Sequence, residues 1–311
     1  MTASPLVVTL GSANFDLISH ASRLPLRGET LPGEGFSMQP GGKGANQAVR
    51  VALSGGRSTF AGHYGHDIFG PMLRAYLEAA GVDIAHFTPA GPSTGIGNVI
   101  MEADGNYASV ILPGANALFT PAEVDSLESL VAGADALLLQ LELPMDSTIR
   151  AIHLARRLKV PVVLNAAPAH KLPAELEGAI DFLIVNEVEA EMLSDLPLGR
   201  NFQTVQTCCS GLKRYARNVI ISLGSSGVYA SDSDGHSLRL PAHTVDVVSA
   251  VGAGDTFIGE FLVRKLSGAP FFEAISCANA AAAMVISSPE GMKKRLSPEG
   301  VEAQAKEVRM A

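Results

Sequence analysis

Short apolar runs rich in Val, Ile and Leu recur along the chain, and their length is typical of buried β-strands. Continuous apolar runs, unlike alternating ones, predict strands that are covered on both faces. Between the runs lie amphipathic stretches such as residues 145–158, in which Ile149, Ile152 and Leu158 fall near helical spacing. Strands that alternate with helices predict an α/β fold with a mostly parallel sheet wrapped by helices. The clearest apolar runs are LVVTL (6–10), ALLLQLE (136–142), VPVVLN (160–165), DFLIVN (181–186) and NVIISLG (218–224).

Two stretches break this alternation, at residues 21–42 and 93–116. In the second, NVIME and YASVIL flank the turn sequence ADGN, which predicts a β-hairpin. We therefore expect a small β-sheet beside the strand ends of the main body, where it is placed to cover a ligand as a lid. We interpret the chain as one domain over residues 1–311, with the lid formed by about 12–42 and 93–115.

Composition and net charge indicate which kinds of binding partner the protein can have. The chain has 311 residues, 47% of them hydrophobic, and a net charge of −8, so it offers no basic surface to nucleic acid or an anionic membrane. Its three cysteines make no disulfide framework. We see neither a secretion-signal pattern nor an apolar run approaching the ~18 residues of a membrane span. We expect a soluble cytoplasmic protein that binds small molecules and has no nucleic-acid or membrane partner.

The most informative stretch is VVSAVGAGDTFIGEF at 247–261, where an apolar run gives way to a predicted helix. At the carboxyl edge of a parallel sheet, the amides of Gly252, Ala253 and Gly254 would form a cradle for phosphate oxygens. Asp255 follows in the first helical turn, where the helix dipole favours the ionised carboxylate. Because a carboxylate repels phosphate, Asp255 suits a general base that takes a hydroxyl proton. The alternative is an ordinary helix cap.

Polar side chains near other predicted strand ends are further candidates for ligand-binding residues. Asn14 and Asp16 point to one side of an extended chain and match vicinal hydroxyls, unless they form a solvated turn. Lys43 and Asn46 share one face of a helix that a glycine-rich turn opens, and this turn is not a Walker A loop. Glu142 ends a predicted strand, either as a ligand-binding residue or as a solvated strand end. No G-x-G-x-x-G follows the first strand, which disfavours a nicotinamide-dependent oxidoreductase.

Two further segments have open interpretations. Asn186 and Glu189 are three residues apart at a helix start, where they would cap the helix or hold a hydrated magnesium ion through water. SLGSSGVYA at 222–230 is either a hairpin connection or a nucleotide-binding loop. The histidines show no metal-ligand spacing.

Several of these motifs together resemble the ribokinase branch of the PfkB carbohydrate kinases, over essentially the whole chain. The resemblance implies a three-layer α/β fold with a β-sheet lid, which is often the dimer interface. It also implies ATP-dependent phosphorylation of a primary hydroxyl of a pentose, ribose to ribose 5-phosphate above all, with Mg²⁺. The motifs, in family order, are GGKGANQA (41–48), PGAN (113–116), NEVEAE (186–191), SLGSSG (222–227) and GAGDTF (252–257).

The resemblance also assigns roles to residues. Asp255 matches the family's base, and the amides of Gly252, Ala253 and Gly254 match its anion hole. Sugar-binding positions are matched by Asn14, Asp16, Gly42, Lys43, Asn46 and Glu142. Positions around the nucleotide and its magnesium are matched by Asn186, Glu189, Ser222, Gly224, Gly227 and Asn279, with Glu189 in the motif tied to the metal.

One departure concerns potassium. The family usually has an acidic residue six positions before the base, which helps hold a monovalent cation, and here that position is Ser249. Lys293, Lys294 and Arg295 stand where small and polar residues are typical. We hypothesise that the ammonium of Lys293 or Lys294 replaces the potassium ion. The alternative is that these are ordinary solvated charges.

Other functions remain open within this resemblance. A relative that phosphorylates deoxyribose, a ketohexose or a nucleoside would carry many of the same motifs. A sugar-binding protein that has lost catalysis is a rival of another class. The intact GAGD motif with Asp255 favours the enzyme.

Overall fold

The computed structural model describes residues 4–102, 107–199, 202–289, 291 and 294–309. Its strands are β1 (Leu6–Leu10), β2 (Asn14–Ala21), β3 (Gly35–Gly41), β4 (Arg57–Tyr64), β5 (Asp83–Pro89), β6 (Gly95–Glu102), β7 (Tyr107–Leu112), β8 (Ala136–Leu139), β9 (Val162–Asn165), β10 (Ile180–Val185), β11 (Ala216–Ser222), β12 (Val228–Ser231) and β13 (Ser237–Leu240). Its helices are α1 (Lys43–Leu53), α2 (Phe69–Ala79), α3 (Pro121–Ser126), α4 (Glu128–Ala132), α5 (Met145–Leu158), α6 (Glu187–Ser194), α7 (Phe202–Leu212), α8 (Ala253–Leu266), α9 (Phe271–Ile286) and α10 (Pro298–Arg309).

The main sheet has the order β13-β12-β11-β10-β9-β8-β1-β4-β5 within the described chain. The strands from β11 to β5 run parallel to one another. At one edge, β12 pairs antiparallel with β11, and β13 pairs antiparallel with β12. β1 pairs with β4 on one side and β8 on the other, so the strand order reverses there. In an open parallel sheet, such a reversal opens a crevice beyond the carboxyl ends of the strands.

Helices cover both faces of this sheet because its strands are apolar on both sides. Along β8, Leu137 and Leu139 face one core, while Ala136 and Leu138 face the other. The first core is closed by α3 to α7. The second is closed by α1, α8 and α9, with α2 beside α1 and α10 packed on α9. The predicted three-layer α/β fold with a mostly parallel sheet is therefore confirmed.

A separate small sheet has the order β3-β2-β6-β7. β2 pairs in parallel with β6, and the outer pairs are antiparallel. The predicted hairpin corresponds to β6 and β7, whose ADGN turn at 103–106 lies outside the described residues. Among the helices that the structure describes, none is long and apolar enough to cross a bilayer.

Candidate active site

A cavity of about 730 Å³ opens at the carboxyl edge of the main sheet. Its walls come from the ends of β9, β10 and β11 and from the first turn of α8. The cavity thus lies beyond the carboxyl ends of parallel strands, which is where ligands bind in an open α/β sheet.

Helix α1 reaches this edge because two glycines let it approach β1 closely. A Cβ on Gly44 would lie 2.7 Å from the Cα of Gly11, so neither position accepts a side chain without displacement. The contact places the first turn of α1, with Lys43, Asn46 and Gln47, over the end of the sheet.

Asp255 lies at the floor of the cavity and does not cap α8. Within the described residues, its carboxylate accepts hydrogen bonds from α1: one from Gln47 Nε2 to Oδ1 at 3.0 Å and a longer one from Asn46 Nδ2 to Oδ2 at 3.4 Å. Burial raises the pKa of Asp255, and the Lys43 ammonium and the Gln47 hydrogen bond oppose that rise. Lys43, Gln47 and Asn46, all on α1, therefore favour the ionised form of Asp255 against the effect of burial.

The backbone before Asp255 presents free donors to the cavity. Gly252 precedes α8 in the left-handed conformation, with φ of 80°, which a side chain would strain. The N–H of Ala253 makes only a long 3.4 Å bond to Ala250. The N–H groups of Gly254 and Asp255 donate to no backbone acceptor in the described part of the chain. Such a helix start is suited to bind phosphate oxygens.

On the other side of Lys43, two carboxylates form a polar cluster. Glu142 Oε2 accepts a short hydrogen bond from the hydroxyl of Ser12 and one of 3.0 Å from the backbone N–H of Lys43. Burial, followed by repulsion from Glu142, raises the pKa of Asp16 to about 6, while Lys43 lowers it. Asp16 and Glu142 thus sit together within the field of one ammonium group.

Asn14 borders this cluster in a fixed orientation. Its Oδ1 accepts a hydrogen bond from Asn116 Nδ2 at 2.7 Å, and Asn116 Oδ1 accepts one from the N–H of Ala13 at 3.0 Å. Both asparagines are almost fully buried. Because its oxygen is engaged, Asn14 offers its NH₂ group as a donor.

Asn186 and Glu189 form a capping box at the start of α6. Glu189 Oε2 accepts from the Asn186 backbone N–H at 2.8 Å, and Glu189 donates its own N–H to Asn186 Oδ1 at 2.9 Å. Burial raises the pKa of Glu189, and the Asn186 backbone bond and Lys43 oppose the rise. Both residues also line the cavity, so the capping role leaves a ligand role possible.

The stretch 222–230 is a hairpin connection between the antiparallel strands β11 and β12, and it also lines the cavity. Its role as a nucleotide-binding loop stays a prediction. Asn279 on α9 faces the same space, where its Nδ2 donates to the Pro241 carbonyl at 2.9 Å. The predicted residues that line the cavity are Lys43, Asn186, Glu189, Ser222, Gly224, Gly227, Gly252, Ala253, Gly254, Asp255 and Asn279. Those beside it, around Lys43 and the start of α1, are Asp16, Gly42, Asn46 and Glu142, and Asn14 lies next to Gly42.

The structure describes only part of the region in which a lysine ammonium was predicted to replace potassium. Ser249 is exposed, and its N–H donates to the Ile286 carbonyl at 3.1 Å. The carbonyl of Lys294 accepts from Nη1 of the buried Arg50 at 2.8 Å. Lys293 lies outside the described residues.

Sequence reasoning about single residues missed five buried polar side chains at the site. Ser12 and Asn116 hold Glu142 and Asn14, as described above. The other three, Gln47, Gln140 and Asn165, are hydrogen-bonded to one another behind Asp255. Gln47 and Asn116 fall inside the motifs GGKGANQA and PGAN, which was the available signal.

A potential metal cluster lies away from the cavity. Asp232, Asp234 and His236 each offer a ligand atom within 4.8 Å of the others, in the turn between β12 and β13. Asp232 is hydrogen-bonded to His236 and to the turn's own backbone, which accounts for the cluster as part of the turn.

A helix start suited to phosphate oxygens, beside a half-buried carboxylate, suits transfer of a phosphoryl group to an alcohol. Comparison with known proteins agrees with that chemistry. The family model of the pfkB family carbohydrate kinases matches residues 4–296. The chain therefore belongs to the pfkB family of carbohydrate kinases.

Individual relatives show which members of the family this chain is similar to. A ribokinase of Haemophilus influenzae is 33% identical over 90% of this chain and 92% of its own length. A deoxyribokinase of Salmonella typhi is 30% identical over 82% of this chain and 84% of its own. Among solved structures, ribokinase of Arabidopsis thaliana complexed with ribose and ATP is 29% identical, with a TM-score of 0.88 over 98% of this chain and 99% of its own.

Proposed function

We propose that this carbohydrate kinase transfers the γ-phosphoryl group of ATP to the primary hydroxyl of a pentose, with ribose as the preferred acceptor. Asp255 takes the hydroxyl proton as the oxygen attacks phosphorus, the new P–O bond forms, and the bond to the leaving ADP breaks. The observation that carries the proposal is the carboxylate of Asp255 beside the open amides of the α8 start.

Each side of the site has a role in this reaction. The amides of residues 252–254 receive charge that develops on the transferred group. The 222–230 stretch and Asn279 bind the nucleotide in the cavity. The carboxylates of Asp16 and Glu142 accept hydrogen bonds from hydroxyl groups of the sugar, while Asn14 donates one to a sugar oxygen. The small sheet acts as the lid that excludes water.

The residues present fit a hydrated Mg²⁺. Each Glu189 oxygen already accepts one hydrogen bond from Asn186, which leaves one more acceptor position on each for a metal-bound water. When bound, Mg²⁺ neutralises charge on the nucleotide phosphates. We propose that Glu189 holds it through water.

A panel of sugars assayed for ATP consumption tests the function. We expect ribose to give the highest kcat/KM, since Asn14, Asp16 and Glu142 offer both donors and acceptors to vicinal hydroxyls. Higher kcat/KM with deoxyribose, a ketohexose or a nucleoside would assign a different acceptor. No ATP consumption with any of them would favour the non-catalytic alternative.

The monovalent cation is tested by repeating the assay with and without KCl in sodium-free buffer. If the Lys293 or Lys294 ammonium replaces potassium, turnover is expected to be independent of KCl. Ser249 supplies no carboxylate to a cation, which favours this outcome. Strong activation by KCl would contradict it.

Sugar affinity is expected to fall as the pH drops below 6. The Asp16 carboxyl, with a pKa raised to about 6, accepts hydrogen bonds from hydroxyl groups through both of its oxygens when ionised above that pH and loses part of this capacity when protonated below it. If only the ionised form binds well, the sugar Kd rises about fivefold between pH 6 and pH 5. Calorimetric titration measures this, and Asp16→Asn is expected to bind weakly with no pH dependence. An equal pH dependence in Asp16→Asn would assign the effect to another group.

We propose a homodimer that forms through the small sheet. Met38, Val110 and Leu112 lie on one face of that sheet by strand register and are exposed. Apolar patches on an exposed sheet face mark association surfaces. Light scattering is expected to give twice the chain mass of 32.4 kDa, and Val110→Asp to give the monomer. A monomeric wild-type protein would exclude the dimer.

A further inference from the structure

A chain of buried side-chain amides lies behind Asp255. Gln47 on α1 is fully buried, and its Nε2 donates both to Asp255 Oδ1 at 3.0 Å and to Asn165 Oδ1 at 2.9 Å. Its Oε1 accepts from Gln140 Nε2 at 2.6 Å. Asn165 in turn donates to the Ile184 carbonyl at 3.1 Å. Both hydrogens and the oxygen of the Gln47 amide are thus engaged.

The carboxylate sets the orientation of each side-chain amide in this hydrogen-bonded series. An ionised carboxylate only accepts hydrogen bonds, so Gln47 must turn its NH₂ group toward Asp255. Its oxygen then faces Gln140, which must donate. Gln140 Oε1 is left buried against Gly11 without a hydrogen-bond partner in the described structure. Turning Gln140 over would place two amide oxygens against each other, so the unsatisfied atom is the cost of orienting Gln47.

We propose that Gln47, oriented by Gln140, is a positioning residue for Asp255. It occupies Oδ1 and stabilises the ionised form, which leaves Oδ2, with its long contact from Asn46, to take the hydroxyl proton. The inference rests on the proposed function, because it concerns proton transfer at that same site.

The test is the pH dependence of kcat in Gln47→Met, a change that keeps length and removes the donor. Loss of a hydrogen bond to a charged group is expected to move the acid limb of kcat up by about one pH unit. Turnover then falls about tenfold on the acid limb and recovers at high pH. The other groups that face Asp255 are Lys43, Glu142 and Tyr76, and all three are unchanged in this variant. KM for ribose and for ATP is expected to stay within about twofold.

Two further variants separate positioning from general damage. Gln140→Met removes only the group that orients Gln47, so a smaller shift of the limb in the same direction is expected. In an Asp255→Asn background, Gln47→Met is expected to cause no further loss of kcat, because the group that it serves is gone. If Gln47→Met does not fold, the position of the acid limb of kcat in Gln140→Met tests the inference.

An acid limb that stays in place, or a loss of kcat equal at all pH values, would overturn the inference. That failure is distinct from failure of the proposed function. Near-normal turnover of Asp255→Asn would remove the base itself, whereas an inactive Asp255→Asn with an unshifted Gln47→Met limb would reject only the positioning role.

Discussion

Replacing Asp255 by Asn is expected to lower kcat about 10³-fold, within the ~10²–10⁴-fold range of general acid–base catalysis, while the sugar Kd changes less than about threefold. The amide has nearly the same shape and can still accept from Gln47 through its oxygen, but it cannot take a proton at neutral pH. Steady-state kinetics with ribose and ATP, together with calorimetric sugar binding, give both quantities.

Stability supplies the control for this variant. Because burial raises the pKa of Asp255 above its ordinary value, stability present at low pH is lost as the pH rises and the buried group ionises. The neutral Asn avoids that loss, so Asp255→Asn is expected to have a Tm at neutral pH no lower than wild type. Asp125→Asn, which changes an exposed ion pair with Arg150, serves as the matched variant with normal kcat. A kcat of Asp255→Asn within about threefold of wild type would remove the base from the mechanism.

Replacing Lys43 by Met is expected to lower kcat/KM for ATP by about 10²–10³-fold, as loss of a preorganised charge at a transferring group does. The ammonium lowers the pKa of Asp16, Glu189 and Asp255 together. Without it, all three carboxyls would protonate at higher pH, and among the described residues that line the cavity no other lysine or arginine would balance the phosphate charge. The backbone N–H that Lys43 donates to Glu142 remains in the variant.

A charge-matched surface variant tests whether position matters. Lys171 makes an exposed ion pair with Asp195, so Lys171→Met changes the net charge equally but is expected to keep kcat/KM within about twofold. Assays at several ionic strengths separate long-range attraction of ATP from local contact, since only the first is screened by salt. An equal loss in both variants would show that net charge, not the place of Lys43, controls the rate.

The fold could be predicted from the sequence because its strands and helices carry strong apolar patterns. Residues 145–158 were predicted as a helix, and α5 has those bounds. The run at 136–142 was predicted as one strand, yet β8 ends at Leu139. Beyond Leu139 the chain leaves the sheet, and Gln140 turns toward Gln47. Periodicity does not indicate where a strand leaves its neighbours.

The candidate site was predicted residue by residue, but not its supporting contacts. Gln47 and Asp255 are 208 positions apart in the chain, and the hydrogen bond between them exists only because α1 packs beside α8. The buried amides of Gln140 and Asn165 look like solvated residues in a local pattern, because burial of a polar group depends on distant partners. The predicted roles of Asp255 and the sugar-side residues stay predictions for the experiments above.

The packing of α1 against α8 joins the opening third of the chain to its closing third. During translation, the carboxylates proposed to bind the sugar, Asp16 and Glu142, are synthesised long before Asp255. On the proposed chemistry, a chain that ends before α8 would contain the sugar-binding carboxylates. It would lack the base that deprotonates the attacking hydroxyl. A chain that stops before α8 would also lack the amides of residues 252–254, which are proposed to bind the transferred phosphoryl group.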